Sequence, residues 1–201
     1  MRRAIRCRVA PTAPVAPVVV VRAACAALAL LAVGCTHAGG FDDGVLRKAD
    51  VTVRVGPLPA SWRRIRVEGA DLAFRDDPRE ASALFNVRCG RRDDDAPLSA
   101  LTDHLIMGTT ARELKTQETI PFDGREAMRT VVRAKLDGVP MQYEIYVMKK
   151  DGCVYDIVYV APPDRFADGA EDFERFTLGV HAVSSPRNLG GERMRSSSTD
   201  P

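Results

Sequence analysis

Long alternating segments separated by Asp-Gly pairs dominate the second half of the chain. Asp123-Gly124, Asp137-Gly138 and Asp151-Gly152 recur every 14 residues, and the segments around them (113–122, 125–136, 139–150 and 153–161) are rich in Val, Ile, Thr and Tyr. Asp-Gly between such segments favours the two-residue type I′ hairpin, because both central positions must accept positive φ. The pattern predicts an antiparallel four-strand meander. Pairing through the turns places Met128, Thr130, Val132 and Ala134 on one face with Met141, Tyr143, Ile145, Val147, Val154, Val158 and Val160. This face is expected to be buried. The other carries Arg129, Arg133, Lys135, Gln142, Glu144, Tyr146, Tyr155 and Tyr159, a mixed polar and aromatic surface, as in a sheet covered on one side.

Upstream, "ADLAFRDDPREASALFNVRC" predicts a hairpin with strands near 70–75 and 82–89 around a proline-containing turn, and "VTVRV" at 51–55 adds an edge strand. "DDDAPLSALTDHLIMG" has the features of a helix start: an aspartate cap, Pro97 in the first turn, then Leu98, Leu101, Leu105 and Ile106 in one stripe. A second helix near 164–179 aligns Phe166, Phe173, Phe176 and Val180. The predicted fold is α+β: an antiparallel sheet of about six to seven strands, packed with two helices. The folded domain is read as residues 51–183. Residues 35–50 are polar and glycine-bearing, a flexible tether, and residues 184–201 have almost no apolar side chains, a disordered tail.

The first 34 residues have a different pattern. Residues 23–33 form a run of 11 uncharged, mostly apolar residues behind an arginine-rich stretch. A membrane-spanning helix needs about 20 residues, whereas the apolar core of a signal peptide needs only about 7 to 15. Residues 1–34 are therefore read as a signal peptide. Charge supports the division. The chain is +2 overall, but Arg2, Arg3, Arg6, Arg8 and Arg22 lie in the leader; removing these five from 29 basic residues leaves 24 against 27 acids, a net of −3. The remainder gives no electrostatic case for nucleic acid.

The leader ends in Ala32-Val33-Gly34-Cys35, which resembles the lipobox of bacterial lipoproteins, with Ala32 in place of the usual leucine. The resemblance implies that the Cys35 thiol accepts diacylglycerol, that cleavage precedes it, and that acyl chains such as palmitate anchor the mature protein. Two or more chains hold a protein stably at a membrane. The alternative is a secretory signal cut after Ala38. Thr36, where inner-membrane lipoproteins of enteric bacteria carry aspartate, points to the periplasmic face of the outer membrane.

The order of elements, with "LPASW" entering a strand, "LAFRDDP" and a closing phenylalanine-striped helix, resembles the Mog1/PsbP-like α/β/α sandwich over roughly residues 57–183. Members of that group are mostly binding or assembly subunits, several on membrane complexes, and share no catalytic signature. The resemblance implies fold, not activity.

Candidate chemistry is sparse. Cys7 and Cys25 leave with the leader and Cys35 is the lipidation site, so Cys89 and Cys153 remain as a candidate disulfide in an exported protein. Parity raises an objection: Cys153 shares a face with Tyr155, the polar side, while Cys89 goes with Phe85 and Val87, which look buried. Thiols pointing apart could not bond. His104 and His181 lie at no ligand spacing from a cysteine, and His104 is read as solvated. Asp93, Asp94 and Asp95 fit a helix N-terminus better than a calcium loop. Asp156 falls on the buried face beside Val147 and Met128, so it should meet an arginine, cap a helix or sit at a sheet edge. With no nucleophile, zinc, Walker or dinucleotide motif, neither an enzyme nor a cofactor or metal site is expected. Arg129, Arg133, Tyr146, Tyr155 and Tyr159, with Trp62 nearby, form a candidate binding face if exposed; a second layer covering them is the alternative. The leading reading is a non-catalytic, membrane-anchored lipoprotein that docks onto an envelope protein complex. The runner-up is a carrier of a small ligand or lipid for an envelope transport system, and a hydrolase without recognisable motifs comes third.

Overall fold

A computed structural model describes residues 40–90 and 96–184. In chain order the elements are β1 (Gly40–Asp42), β2 (Val45–Arg47), β3 (Val51–Arg54), β4 (Trp62–Ile65), β5 (Leu72–Asp76), β6 (Ala81–Cys89), α1 (Leu98–Leu105), β7 (Thr110–Phe122), β8 (Arg125–Leu136), β9 (Val139–Lys150), β10 (Cys153–Ala161), α2 (Phe166–Leu178) and β11 (His181–Ser184). The long strands β7 to β10 are the meander that the Asp-Gly spacing predicts. All three turns have positive φ at both residues, 46° and 73° at Asp123-Gly124, 50° and 84° at Asp137-Gly138, and 53° and 71° at Asp151-Gly152, as type I′ turns require. β6 then pairs antiparallel with β10, extending the meander into one seven-stranded sheet of order β4-β5-β6-β10-β9-β8-β7.

Helix α1 lies on one face of this sheet, where Leu101 and Ile106 pack with Val132, Tyr143, Ile145, Val147 and Val154. The other face meets α2 and a separate four-stranded sheet of order β1-β2-β3-β11. Phe166, Phe173 and Phe176 form the buried stripe of α2, and Tyr159 stacks on Phe173 with ring centroids 5.1 Å apart. The C-terminal end of α2 is held by a close backbone approach: the Gly56 N–H donates to the Phe176 carbonyl at 2.9 Å, and a Cβ at residue 56 would sit 2.2 Å from the Arg175 carbonyl oxygen. Only glycine fits there.

The small sheet corrects two expectations. Residues 51–55 do not form an edge strand of the main sheet; β3 is an inner strand of the second sheet, between β2 and β11. The segment read as a tether also contains the β1–β2 hairpin, whose turn is a fourth Asp-Gly pair, Asp43-Gly44, with φ of 46° and 70°. Leu46 is buried in the core, which gives the hairpin an apolar anchor. Likewise His181–Ser184 is a strand. Its first residues are tied to the Asp123-Gly124 turn: the Asp123 carboxylate accepts from Lys150 Nζ at 2.8 Å and the Ala182 N–H at 2.9 Å, and lies 2.6 Å from His181 Nδ1. Burial pushes the Asp123 carboxyl up, but these three bonds outweigh it and hold it below the usual aspartate range. The helix cap also differs. Pro97 occupies the N-cap of α1 without a side-chain bond, while Asp93–Asp95 lie outside the described residues.

Candidate ligand groove on the α1 face

The residues predicted as an exposed docking face separate into a buried set and an edge set. Tyr146, Tyr155 and Tyr159 are at most 3% exposed and belong to the larger core beneath α2 and the small sheet. Burial, with the nearby Asp151 and Asp123 charges, pushes the Tyr155 phenol up to about 12. Burial and Asp76 do the same to Tyr159. Parity groups these side chains correctly, but the grouping does not say which face is the drier. Tyrosine carries a large apolar body, and the phenylalanine stripe of α2 covers it. Trp62 joins the same cluster against Phe74 and Phe176.

Nearer the β7 edge, Arg129 donates to Glu144 at 2.8 Å, to Glu118 at 2.9 Å and to the Tyr146 hydroxyl at 3.0 Å. Burial pulls the guanidinium down, yet the bond to Glu118 and the charge of Glu144 overcome it and raise the group above its ordinary value. The arginine neutralises the buried Glu144, as a buried carboxylate demands. Arg133 donates to Gln142 on the exposed edge. Arg129 is thus committed to a structural network and only Arg133 is exposed, so the five residues make no common docking surface.

The cysteine objection resolves on the same observation. Cys89 and Cys153 are directly opposed in the β6–β10 ladder, and Val87 opposes Tyr155. Since the tyrosine side is the core side, both thiols point the same way and form a disulfide. Asp156 meets an arginine: Arg88 Nη1 lies 2.5 Å from its carboxylate. Cys35 lies outside the described residues.

The opposite face of the sheet offers a different surface. Helix α1 has 8 residues, a length of about 12 Å, and it packs over β8 and β9. The α1-side residues of β6 and β10 near the β5 end are therefore incompletely covered, and Leu84, Val158 and Val160 are half-buried. They floor a groove of about 510 Å³ between the β4–β5 connection at Glu68–Ala70 and the C-terminal end of α1. Leu105 and Leu136 add apolar wall, and Asn86, Arg88, Asp156 and His104 supply polar groups. The Tyr143 hydroxyl, also at this groove, is buried with no hydrogen-bond partner among the described residues. Burial, aided by Asp137, raises that phenol and keeps it protonated. An apolar trough with a few converging polar groups is the usual form of a small-molecule site. The sequence holds one signal for it: a leucine stripe of only two turns cannot cover the apolar face of seven strands.

No family model and no curated protein matches this chain. Solved structures do. The solution structure of cyanobacterial PsbP from Synechocystis superposes with a TM-score of 0.50 at 17% identity, over 72% of this chain and 98% of that one. The fold is PsbP-like. Two further similar structures are LpqN, involved in cell envelope biogenesis of Mycobacterium tuberculosis (TM-score 0.49, 13% identity, 71% and 86% of the two chains), and the Saccharomyces cerevisiae Ran-binding protein Mog1p (0.45, 10%, 65% and 89%). At these identities the PsbP-like likeness establishes architecture alone. Among the described residues, no helix is long and apolar enough to cross a membrane.

Proposed function

We propose that the protein is a non-catalytic accessory lipoprotein of the bacterial envelope, anchored through acylated Cys35 at the periplasmic face of the outer membrane. Its sandwich domain holds a small amphiphile in the α1-side groove. The incompletely covered apolar floor of Leu84, Val158 and Val160 carries this reading. Those side chains gain burial from an acyl chain or similar apolar segment, at about 25 cal/mol per Å² removed from water, and the polar end of the groove suits a head group. The reading favours the carrier over docking through the tyrosine face, which is buried.

A specific observation keeps protein docking as a second reading, at a different place. Leu136 and Val139 oppose each other beside the Asp137-Gly138 turn, and with Met107 they are exposed large apolar side chains near the mouth of the groove. Native mass spectrometry of the full-length protein extracted from envelopes, after cross-linking in place, separates the two. A bound small molecule that is absent from a Val158→Trp variant supports the carrier. A ligand-free protein cross-linked to a stoichiometric partner through Met107 or Val139 overturns it.

A further inference from the structure

The point at which the folded domain begins restricts how it can sit on a membrane. β1 starts at Gly40, so only Thr36–Gly39 separate it from Cys35. At roughly 3.3–3.6 Å per residue the five steps from Cys35 to Gly40 reach at most about 18 Å. A tether running to residue 50 would instead reach roughly 50 Å. With acyl chains on Cys35, the reading on which this inference rests, the start of the domain stays within that reach of the lipid head groups.

The surface around Gly40 has the composition to meet that region. β1 is the outer strand of the small sheet and β4 the outer strand of the large one. The two edges converge where the Arg64 guanidinium lies over the Phe41 ring, 4.9 Å from its centroid. Arg47 is paired opposite Gly40. β4 and its continuation read Trp62-Arg63-Arg64-Ile65-Arg66-Val67, with Arg63, Arg64, Arg66 and Val67 exposed. Arg63 is engaged by Asp77 and Asp71 by Lys48; the other acids close by in sequence are Asp42, Asp43, Asp50 and Glu68. Between the edges opens a hollow of about 830 Å³ whose lining includes Gly40, Phe41, Arg64, Arg66, Glu68 and Asp71.

We infer that this side, with Arg47, Arg64 and Arg66, rests on the bilayer and binds the phosphates of anionic phospholipid head groups. Guanidinium forks suit phosphate oxygens, and the attraction is strongest within a Debye length of an anionic surface. The domain is then a membrane-seated body with a fixed orientation.

Trp62, the only tryptophan, lies on β4 and reports this directly. The acylated full-length protein is reconstituted into phosphatidylglycerol-containing vesicles bearing a nitroxide on the lipid head group. Strong quenching of Trp62 is expected. It should fall several-fold in an R47E/R64E/R66E variant, recover in R47K/R64K/R66K, and fall when a Gly-Ser linker is inserted after Ala38, while the denaturant midpoint of each variant stays that of the wild type. Equal quenching of the wild-type, charge-reversed and linker-extended proteins overturns the inference. Equal quenching without phosphatidylglycerol overturns the choice of anionic lipid. Mass analysis of the Cys35 peptide keeps the two readings distinguishable. An acylated peptide with no quenching refutes the seat alone, whereas an unacylated peptide refutes the anchor and the seat with it.

Discussion

On the α2 side of the seven-stranded sheet, Phe85, Val87, Tyr155, Ile157 and Tyr159 are almost inaccessible, while Leu84, Val158 and Val160, their neighbours along the same two strands, are half covered on the α1 side. The strands are the same; the covering layers differ. Behind the tyrosines stand the 13-residue α2, about 20 Å long, and a complete second sheet. In front stands an 8-residue helix. The first face is closed by aromatic packing and a disulfide at its end. The second keeps an apolar groove that its own chain, as far as it is described, does not fill. One sheet therefore carries two unlike faces: one closed by its covering layers, the other open at a groove.

This contrast can be broken most forcefully from the sealed side. Phe173→Ala, at a fully buried ring within the aromatic cluster, should cost about 3–5 kcal/mol in denaturant unfolding. A cost below ~1 kcal/mol would mean that this side is not the principal core. Opening the Cys89–Cys153 bridge, which closes a loop across a sequence separation of 64, should cost about 2–4 kcal/mol. Reduction should lower the thermal midpoint without changing the far-ultraviolet spectrum under native conditions.

Asp123 gives a prediction in pH. Its carboxyl is held below its ordinary value of 3.8, so the folded state binds fewer protons than the unfolded state near that pH. The stability it contributes is fully present above about pH 4 and is lost as the pH falls through the depressed value. Asp123→Asn should lower stability at neutral pH by about 1.5–3 kcal/mol, as hydrogen bonds to a charged group suggest, and flatten the acid side of the unfolding profile. An unaltered acid limb would remove Asp123 as the link between β11 and the meander. The smallest effect belongs to the open side. Val158→Ala should cost no more than about 1 kcal/mol, whereas Ile157→Ala next to it should cost about 2–4. Equal costs would erase the difference between the faces.

Much of this architecture is legible in the sequence because its signals are local. Each Asp-Gly pair fixes a turn, each turn fixes a register, and register fixes which side chains share a face. The meander and its two faces follow from that chain of inference, and the two helices from their apolar stripes; for Asp156 an arginine is one of three expected surroundings, and Arg88 is the one found. What parity cannot supply is the identity of the covering layer. The tyrosines look like surface because arginine and glutamine accompany them on β8 and β9, while their burial depends on a helix and a sheet distant in sequence. The β1–β2 hairpin is hidden for another reason: its strands have three residues each, too few for alternation to show, although Asp43-Gly44 repeats the turn signature found downstream. The groove arises from a mismatch between helix length and sheet width, a relation between elements that no single motif records.

The central claim is that the α1 face is a binding site. It is tested most directly by titrating the full-length protein with a fluorescent polyene fatty acid. The account predicts saturable binding of one probe per protein, weakened at least ~10-fold, equivalent to about 1.4 kcal/mol, by Val158→Trp in a variant that unfolds at the same denaturant concentration as the wild type. Equal affinity in the two proteins, or no saturable binding to either, would contradict it.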